Sequence, residues 1–425
     1  MTRFVSTHLA KHYRKAKMSN PYILPAEHDF WIKTPRRRLL LSSDEEIEAK
    51  YDAKAERIVT ETNREKLVNF YESLKRPNYM DPRPFYQRRQ RWTADRQSQL
   101  IESFLINIPI PPLFVYESRP NVYEVMDGQQ RITAIRAFYD SRLTLEGLER
   151  WPELNGRTYA TLPDRIRAGI DRRSISWVTV LSESSENEED AFSIKQLVFE
   201  RLNTGGVKLS AQEIRNALFA GDFNDALIKM SRLDSHRSVW GLPKYSEIEE
   251  RQVPINLADS GFYLEMEDVE VILRFFALRH AEHYSRGMRE FLDFYMQKAR
   301  SLSSHEIEEL ERLYEAVVEL AAEIYGDLAF KPYVQDKSSG KWNWGTRKQK
   351  AYADAVLVAL SEQLGNGSEL IVQRDNLLKL TKQYFQEDGE GVLVGRGNTK
   401  KDVLARIDRL REIFKKVLAA SDADL

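Results

Sequence analysis

Glu124-Val-Met-Asp-Gly-Gln-Gln-Arg-Ile-Thr-Ala-Ile-Arg136 is the stretch on which the fold of this chain turns. Residues 122–126 read as a strand, Asp127 and Gly128 as a turn, and a helix opens at Gln129 carrying Ile132, Ile135, Ala137 and Phe138. A strand that runs through a glycine turn into a helix places backbone N–H groups at a helix N-terminus, where partial positive charge gathers. Gly128 lets the backbone approach a ligand closely. Arg131 offers a planar fork that matches phosphate oxygens, and Gln129 and Gln130 add neutral donors. Asp127 is suited to hold a divalent metal or to orient a water. A polar turn capping a helix, with Arg131 in an ordinary ion pair, would carry the same residues, so both readings stand on spacing alone. The stretch is not a P-loop, because it lacks the Lys-Ser/Thr pair.

Working outward, residues 113–116 form the partner strand, with Arg119, Pro120 and Asn121 in the turn between. A helix over 93–106, N-capped by Thr93, precedes it and is stopped by Pro109, Pro111 and Pro112. Residues 44–74 show a charged helical pattern that ends at Pro77, Pro82 and Pro84. Residues 176–181 return as a strand and 190–201 as a helix. From Leu209 onward helices dominate, opening with a capping box of Ser210 and Glu213 and continuing over 268–284, 288–302, 305–325, 347–364 and 399–420. The expectation is an α+β chain: a basic arm over 1–43, a small α/β domain over 44–250, and a helical domain over 251–425.

Three further clusters bear on function. Tyr86-Gln-Arg-Arg-Gln-Arg-Trp92 interleaves Arg88, Arg89 and Arg91 with aromatics, a pattern that suits a nucleotide or nucleic-acid backbone and equally a solvated surface with Trp92 packed inward. Phe199-Glu-Arg-Leu-Asn-Thr-Gly-Gly-Val-Lys-Leu-Ser210 reads as a helix stop and capped restart, leaving Glu200, Arg201, Asn203 and Thr204 as candidate site residues. Residues 331–350 mix Lys337, Lys341, Arg347, Lys348 and Lys350 with Trp342 and Trp344. They read either as a nucleic-acid or partner contact or as a packed loop with a wet rim. Arg36, Arg37 and Arg38 give the arm a basic run that is either a solvated strap or a nucleic-acid contact.

Composition narrows the chemistry. The 425 residues contain no cysteine, which excludes disulfides, iron–sulfur clusters, cysteine-ligated zinc and thiol catalysis. The length favours two or three domains. A net charge of −1, from 64 basic and 65 acidic side chains, excludes a uniformly basic DNA-coating protein but leaves local patches open. No run approaches the roughly 18 apolar residues of a membrane helix, and no apolar signal core follows the basic start, so a cytoplasmic location and no membrane partner are expected.

Taken in order, YQRRQRW, LIESFLINIPIPPLFV, VMDGQQRITAIRAFY and FERLNTGGVKLSAQEIRNALF resemble the N-terminal domain of GmrSD-type restriction systems, a group marked by a DGQQR motif and related to the ParB/sulfiredoxin fold. EDVEVILRFFALRH, FLDFYM and AYADAVLVAL extend the resemblance into the helical half, over about residues 64–420. The resemblance implies a ParB-like core in which Asp127, Gly128, Gln129, Gln130 and Arg131 bind nucleotide phosphates, with Asp127, Gln130 and Arg131 in catalytic roles and Mg²⁺ or Mn²⁺ on Asp127. Arg88, Arg91, Asn203 and Glu213 match less diagnostic positions. It implies an NTP-hydrolysing phage-defence protein acting on or regulated by DNA. A DNA-binding or DNA-nicking module, and a non-catalytic sensor that recruits a separate nuclease or methyltransferase, remain alternatives, and a homo-oligomer stays open. Relatives often carry an HNH nuclease domain. None of His8, His12, His28, His236, His280, His283 and His305 stands in such a context, and the 280/283 pair reads as ordinary helix residues.

Overall fold

The strand–turn–helix around Asp127 starts from the fourth strand of a five-stranded sheet in the computed structural model, which describes residues 23–31, 43–52, 58–77, 79–81, 92–181, 188–202, 210–250, 253–336, 338–387, 391–394 and 397–422. The elements of the first unit, within 36–218, are α1 (Asp44–Asp52), β1 (Thr60–Lys66), α2 (Leu67–Leu74), β2 (Met80–Asp81), α3 (Ala94–Leu105), β3 (Leu113–Arg119), β4 (Val122–Asp127), α4 (Gln129–Tyr139), α5 (Asp164–Asp171), β5 (Ser174–Val180), α6 (Glu188–Leu202) and α7 (Ala211–Leu218). The strand order is β1-β5-β3-β4-β2. The outer β1–β5 pair and the β3–β4 hairpin are antiparallel, while β3 runs parallel to β5 and β2 to β4.

One face of this sheet is apolar. Leu113, Val115, Val125, Ile175 and Trp177 pack against Phe70 of α2, Ile101 and Phe104 of α3, and Ile132, Ile135 and Phe138 of α4. The i, i+3 and i+6 spacing of the three α4 residues puts them on one helix face, and each is fully out of water. That packing fixes the direction in which α4 leaves the sheet, and therefore where its N-terminus lies.

The helix expected over 44–74 is interrupted. β1 lies inside it, with the sequence Thr-Glu-Thr-Asn-Arg-Glu-Lys. Nothing local demands a strand from those residues. Pairing with β5 from Thr60↔Val180 to Lys66↔Ser174 does, and Leu67 N–H donates to Arg173 O at 2.8 Å to close the corner into α2.

The second unit contains residues 23–31 and the chain from Phe219 onward. The expected division near residue 250 thus stands some distance beyond the one the structure draws after Leu218. Its helices are the short turn Pro25–Asp29, α8 (Asp222–Met230), α9 (Asp234–Trp240), α10 (Gly261–Leu264), α11 (Glu267–Leu278), α12 (Met288–Ala299), α13 (Ser304–Tyr325), α14 (Lys350–Ser361), α15 (Gly367–Val372), α16 (Arg374–Glu387) and α17 (Lys400–Asp422), with a small hairpin of β6 (Tyr333–Gln335) and β7 (Trp342–Trp344). α11, α13 and α14 are its apolar centre, tied by Arg274 of α11, whose Nε donates to Asp354 Oδ1 of α14 at 3.0 Å. The chain is therefore α+β with a helical C-terminal half. No helix among the described residues is long and apolar enough to cross a membrane.

The 268–284 helix stops early, at Leu278, and a 3₁₀ turn (Ala281–His283) follows. The two histidines consequently leave the helix face expected of them. His280 is buried against Glu27, and the His283 ring stacks on Trp31 with centroids 4.8 Å apart.

Candidate functional site

β4 delivers Asp127 to the end of the sheet, where Phe114 of β3 is its register partner. Gly128 then takes φ +100°, a value that L-residues with a side chain rarely adopt. A Cβ placed there would lie 2.2 Å from Leu113 Cδ2, so both backbone angle and space require glycine. The first intrahelical bond of α4 runs from Ile132 N–H to Gly128 O at 3.0 Å. The amides of Gln129, Gln130 and Arg131 precede it, in the turn that has no acceptor within the helix.

The side chains of the motif are arranged differently from a simple anion cradle. Arg131 is buried and bends back under the turn. Its Nη2 contacts Asp127 Oδ2 at 2.5 Å, and its Nη1 donates to the carbonyls of Pro111 and, at 3.2 Å, Pro112. The fork thus clamps three chain segments: the strand end, the helix start and the proline run before β3. Asp127 is its opposite in exposure, with 43% of the side chain accessible against 11% for Arg131. Gln130 Oε1 accepts from Trp92 N–H at 3.2 Å, and Gln129 Nε2 reaches Val125 O at 3.4 Å. Of the five motif residues, Asp127 keeps an accessible carboxylate, while Gly128 and Arg131 are buried and Gln129 and Gln130 half-buried.

Two neighbours went unnoticed in the sequence. On the sheet face opposite the core, Glu124 of β4 pairs with Lys195 of α6 at 3.0 Å, and the same ammonium stands 4.6 Å from the Tyr116 ring of β3. Their signal was weak: Glu124 is simply the polar position of an alternating strand. Pro111 and Pro112 were legible as a helix stop, but not as carbonyl donors of lone pairs to an arginine twenty residues on.

The remaining candidates are dispersed. Arg36, Arg37, Arg38, Arg88, Arg91 and Asn203 lie outside the described residues. Trp92 packs against the core of the first unit with Arg96 over its ring at 5.3 Å, the inward option for that cluster. The Ser210–Glu213 capping box forms, with Ser210 N–H to Glu213 Oε2 at 2.8 Å and Glu213 N–H to Ser210 Oγ at 3.1 Å. Behind it α7 buries Gln212, Arg215 and Asn216, with Gln212 bonded to both others. In the second unit, Lys341 and Arg347 are exposed near the β6–β7 hairpin, whose Tyr333, Trp342 and Trp344 rings cluster beside Lys382. Lys348 is turned inward onto Val239 O, and burial pushes its pKa down to about 8. No group of three or more His, Asp or Glu side chains among the described residues is arranged to hold a metal ion.

Residues 65–220 match the family described as GmrSD restriction endonuclease, N-terminal domain. No curated protein and no solved structure matches the chain. The matched span begins at the end of β1, ends just past α7, and contains the whole clamp: Pro111, Pro112, Asp127, Gly128 and Arg131. Residues 65–220 of this chain are a GmrSD-type N-terminal domain.

Proposed function

We propose that this chain is a restriction- and phage-defence-type protein whose ParB-like first unit binds, and with a divalent metal hydrolyses, a nucleoside triphosphate in a reaction coupled to DNA. The observation that carries the reading is the Asp127–Gly128 turn. An accessible carboxylate and the first-turn amides of an eleven-residue helix converge at one end of a sheet, and the turn is held by a buried arginine.

The clamp supports the following division of roles. The first turn of α4 receives phosphate oxygens through its amides and its positive pole. Arg131 keeps Asp127 and the proline run in place, so it is a positioning residue and adds positive charge beneath the site. Asp127 alone fits Mg²⁺ or Mn²⁺, because Mg²⁺ is commonly bound by one or two carboxylates together with substrate phosphates and waters rather than by a protein cage. Such an ion, when bound, would neutralise charge on the phosphates and lower the pKa of a bound water.

Nucleotide binding by calorimetry, with each NTP and Mg²⁺, tests this. Asp127→Asn keeps the hydrogen-bonding outline but loses the metal ligand, so it should weaken Mg²⁺–NTP binding by roughly tenfold or more while leaving the folded signal intact. Equal binding by wild type and variant would remove Asp127 from the site.

A further inference from the structure

The pleat of β1 segregates its charges. Thr60, Thr62, Arg64 and Lys66 alternate with Glu61, Asn63 and Glu65, and period two sends the two sets to opposite faces. Glu61 and Glu65 stand in register with Thr179 and Ile175, both buried on the core face, and Asn63 Nδ2 reaches Thr179 Oγ1 at 3.4 Å. Arg64 and Lys66 therefore project from the other face, opposite Ser176 and Ser174 of β5. Both cations are exposed, and both serines are half-buried. Exposed Arg172 stands two residues before Ser174, at the corner closed by the Leu67–Arg173 backbone bond. Among the described residues, none of these three cations has a carboxylate within 4.0 Å.

This cluster lies at the same end of the sheet as the motif. β1 ends there at Lys66 opposite the start of β5, β3 begins beside Trp177, and β4 ends at Asp127 opposite Phe114. The order β1-β5-β3-β4 sets Arg64 and Lys66 three strand spacings, or about 14 Å, from β4 across the sheet, and the register through Val178 and Thr62 sets them two and four residues beyond Asp127 along the strands, so the separation is about 16 to 19 Å. Over the β3–β4 half, Lys195 of α6 already engages Glu124 and Tyr116 on this face. The β1–β5 half keeps its cations in water.

We infer that Arg64, Lys66 and Arg172, with the hydroxyls of Ser174 and Ser176, form a second anion site whose ligand is the phosphate backbone of a nucleic acid running across this end of the sheet toward the Asp127–Gly128 turn. An isolated phosphate does not span the distance. A nucleic-acid strand places about five charges across that distance, at about 3.4 Å of rise each. The choice of DNA over RNA rests on the restriction-type reading above; the site itself does not.

The test is fluorescence anisotropy with a labelled duplex and with its single strand, from about 50 to 200 mM salt, on the full chain and on the Arg64→Ala/Lys66→Ala/Arg172→Ala variant. All three positions are exposed, and circular dichroism checks the fold. The wild type should bind at least one form. The variant should lose roughly tenfold or more in affinity, and its salt slope should fall by about 2 to 3, near 0.9 per lost duplex phosphate contact. Binding of neither form by the wild type, or an unchanged slope in the variant, overturns the inference. Nucleotide binding without DNA, measured on both proteins, separates the two claims: its retention with DNA affinity lost supports both sites, and its absence from the wild type sinks the nucleotide reading alone.

Discussion

Glu27→Gln is the substitution whose consequence can be worked furthest. Glu27 is fully buried in the second unit, 252 residues in sequence from its main partner, Arg279. Its Oε1 meets Arg279 Nη2, His280 Nε2 at 3.1 Å and Tyr295 OH at 2.5 Å, while Oε2 accepts from Leu24 N–H at 2.9 Å. Burial alone would raise the carboxyl pKa. The Arg279 charge and the His280 and Tyr295 hydrogen bonds outweigh burial and hold it at about 2, against an ordinary 4.5. At about 1.4 kcal/mol per pH unit that interval is worth roughly 3 kcal/mol, the order expected when one member of a buried pair is removed.

The sign follows from the direction. A lowered carboxylate pKa gives stability that is present above pH 4.5 and is lost as pH falls from 4.5 toward 2. Burial also lowers the His280 pKa, against the opposing pull of Glu27, so His280 adds a loss that starts as pH drops below its ordinary 6.5. Scanning calorimetry of the full chain should place the Glu27→Gln transition of the second unit roughly 6 to 12 °C lower at pH 7, for about 3 kcal/mol in a unit of this size. The difference between the two proteins should shrink as pH falls below 4.5 and close near pH 2. A shift under about 1 °C at pH 7, or one that does not shrink in acid, would mean that the Glu27 carboxylate does not stabilise the second unit.

Three other substitutions probe the first unit. Gly128→Ala forces a side chain into φ +100° and onto Leu113, and should cost roughly 2 to 5 kcal/mol in denaturant unfolding; neutrality would mean that the turn relaxes freely. Arg131→Lys replaces a fork by a point charge that cannot reach Asp127 and both proline carbonyls together, so nucleotide affinity and stability should fall in parallel. Loss of affinity at unchanged stability would instead show direct phosphate contact. Ser210→Ala removes one half of the α7 capping box and should cost about 1 kcal/mol, read from the denaturation midpoint.

What could be read beforehand divides by sequence distance. The strand–turn–helix at 122–139, the α7 capping box and the long amphipathic helices α13 and α17 are written in contiguous residues, through period, caps and turn glycine. β1 was read as helix because its strand character comes from β5, more than a hundred residues later. On spacing alone Arg131 fits either a phosphate fork or an ion pair, because the Pro111 and Pro112 carbonyls that occupy it carry no side-chain signature. The Glu27 cluster joins residue 27 to residues 279, 280 and 295, and no local pattern announces a buried carboxylate. Motif position was therefore legible, while the direction of its side chains was not.

We propose the Asp127–Gly128 turn as a metal-dependent nucleotide phosphate site. Phosphate release from each NTP by the purified full chain, with Mg²⁺ or Mn²⁺ and with or without DNA, tests it most directly when run beside Asp127→Asn. Release by the wild type should be metal-dependent and should drop by roughly tenfold or more in the variant. No release from any NTP by the wild type, or equal release by both proteins, would contradict it.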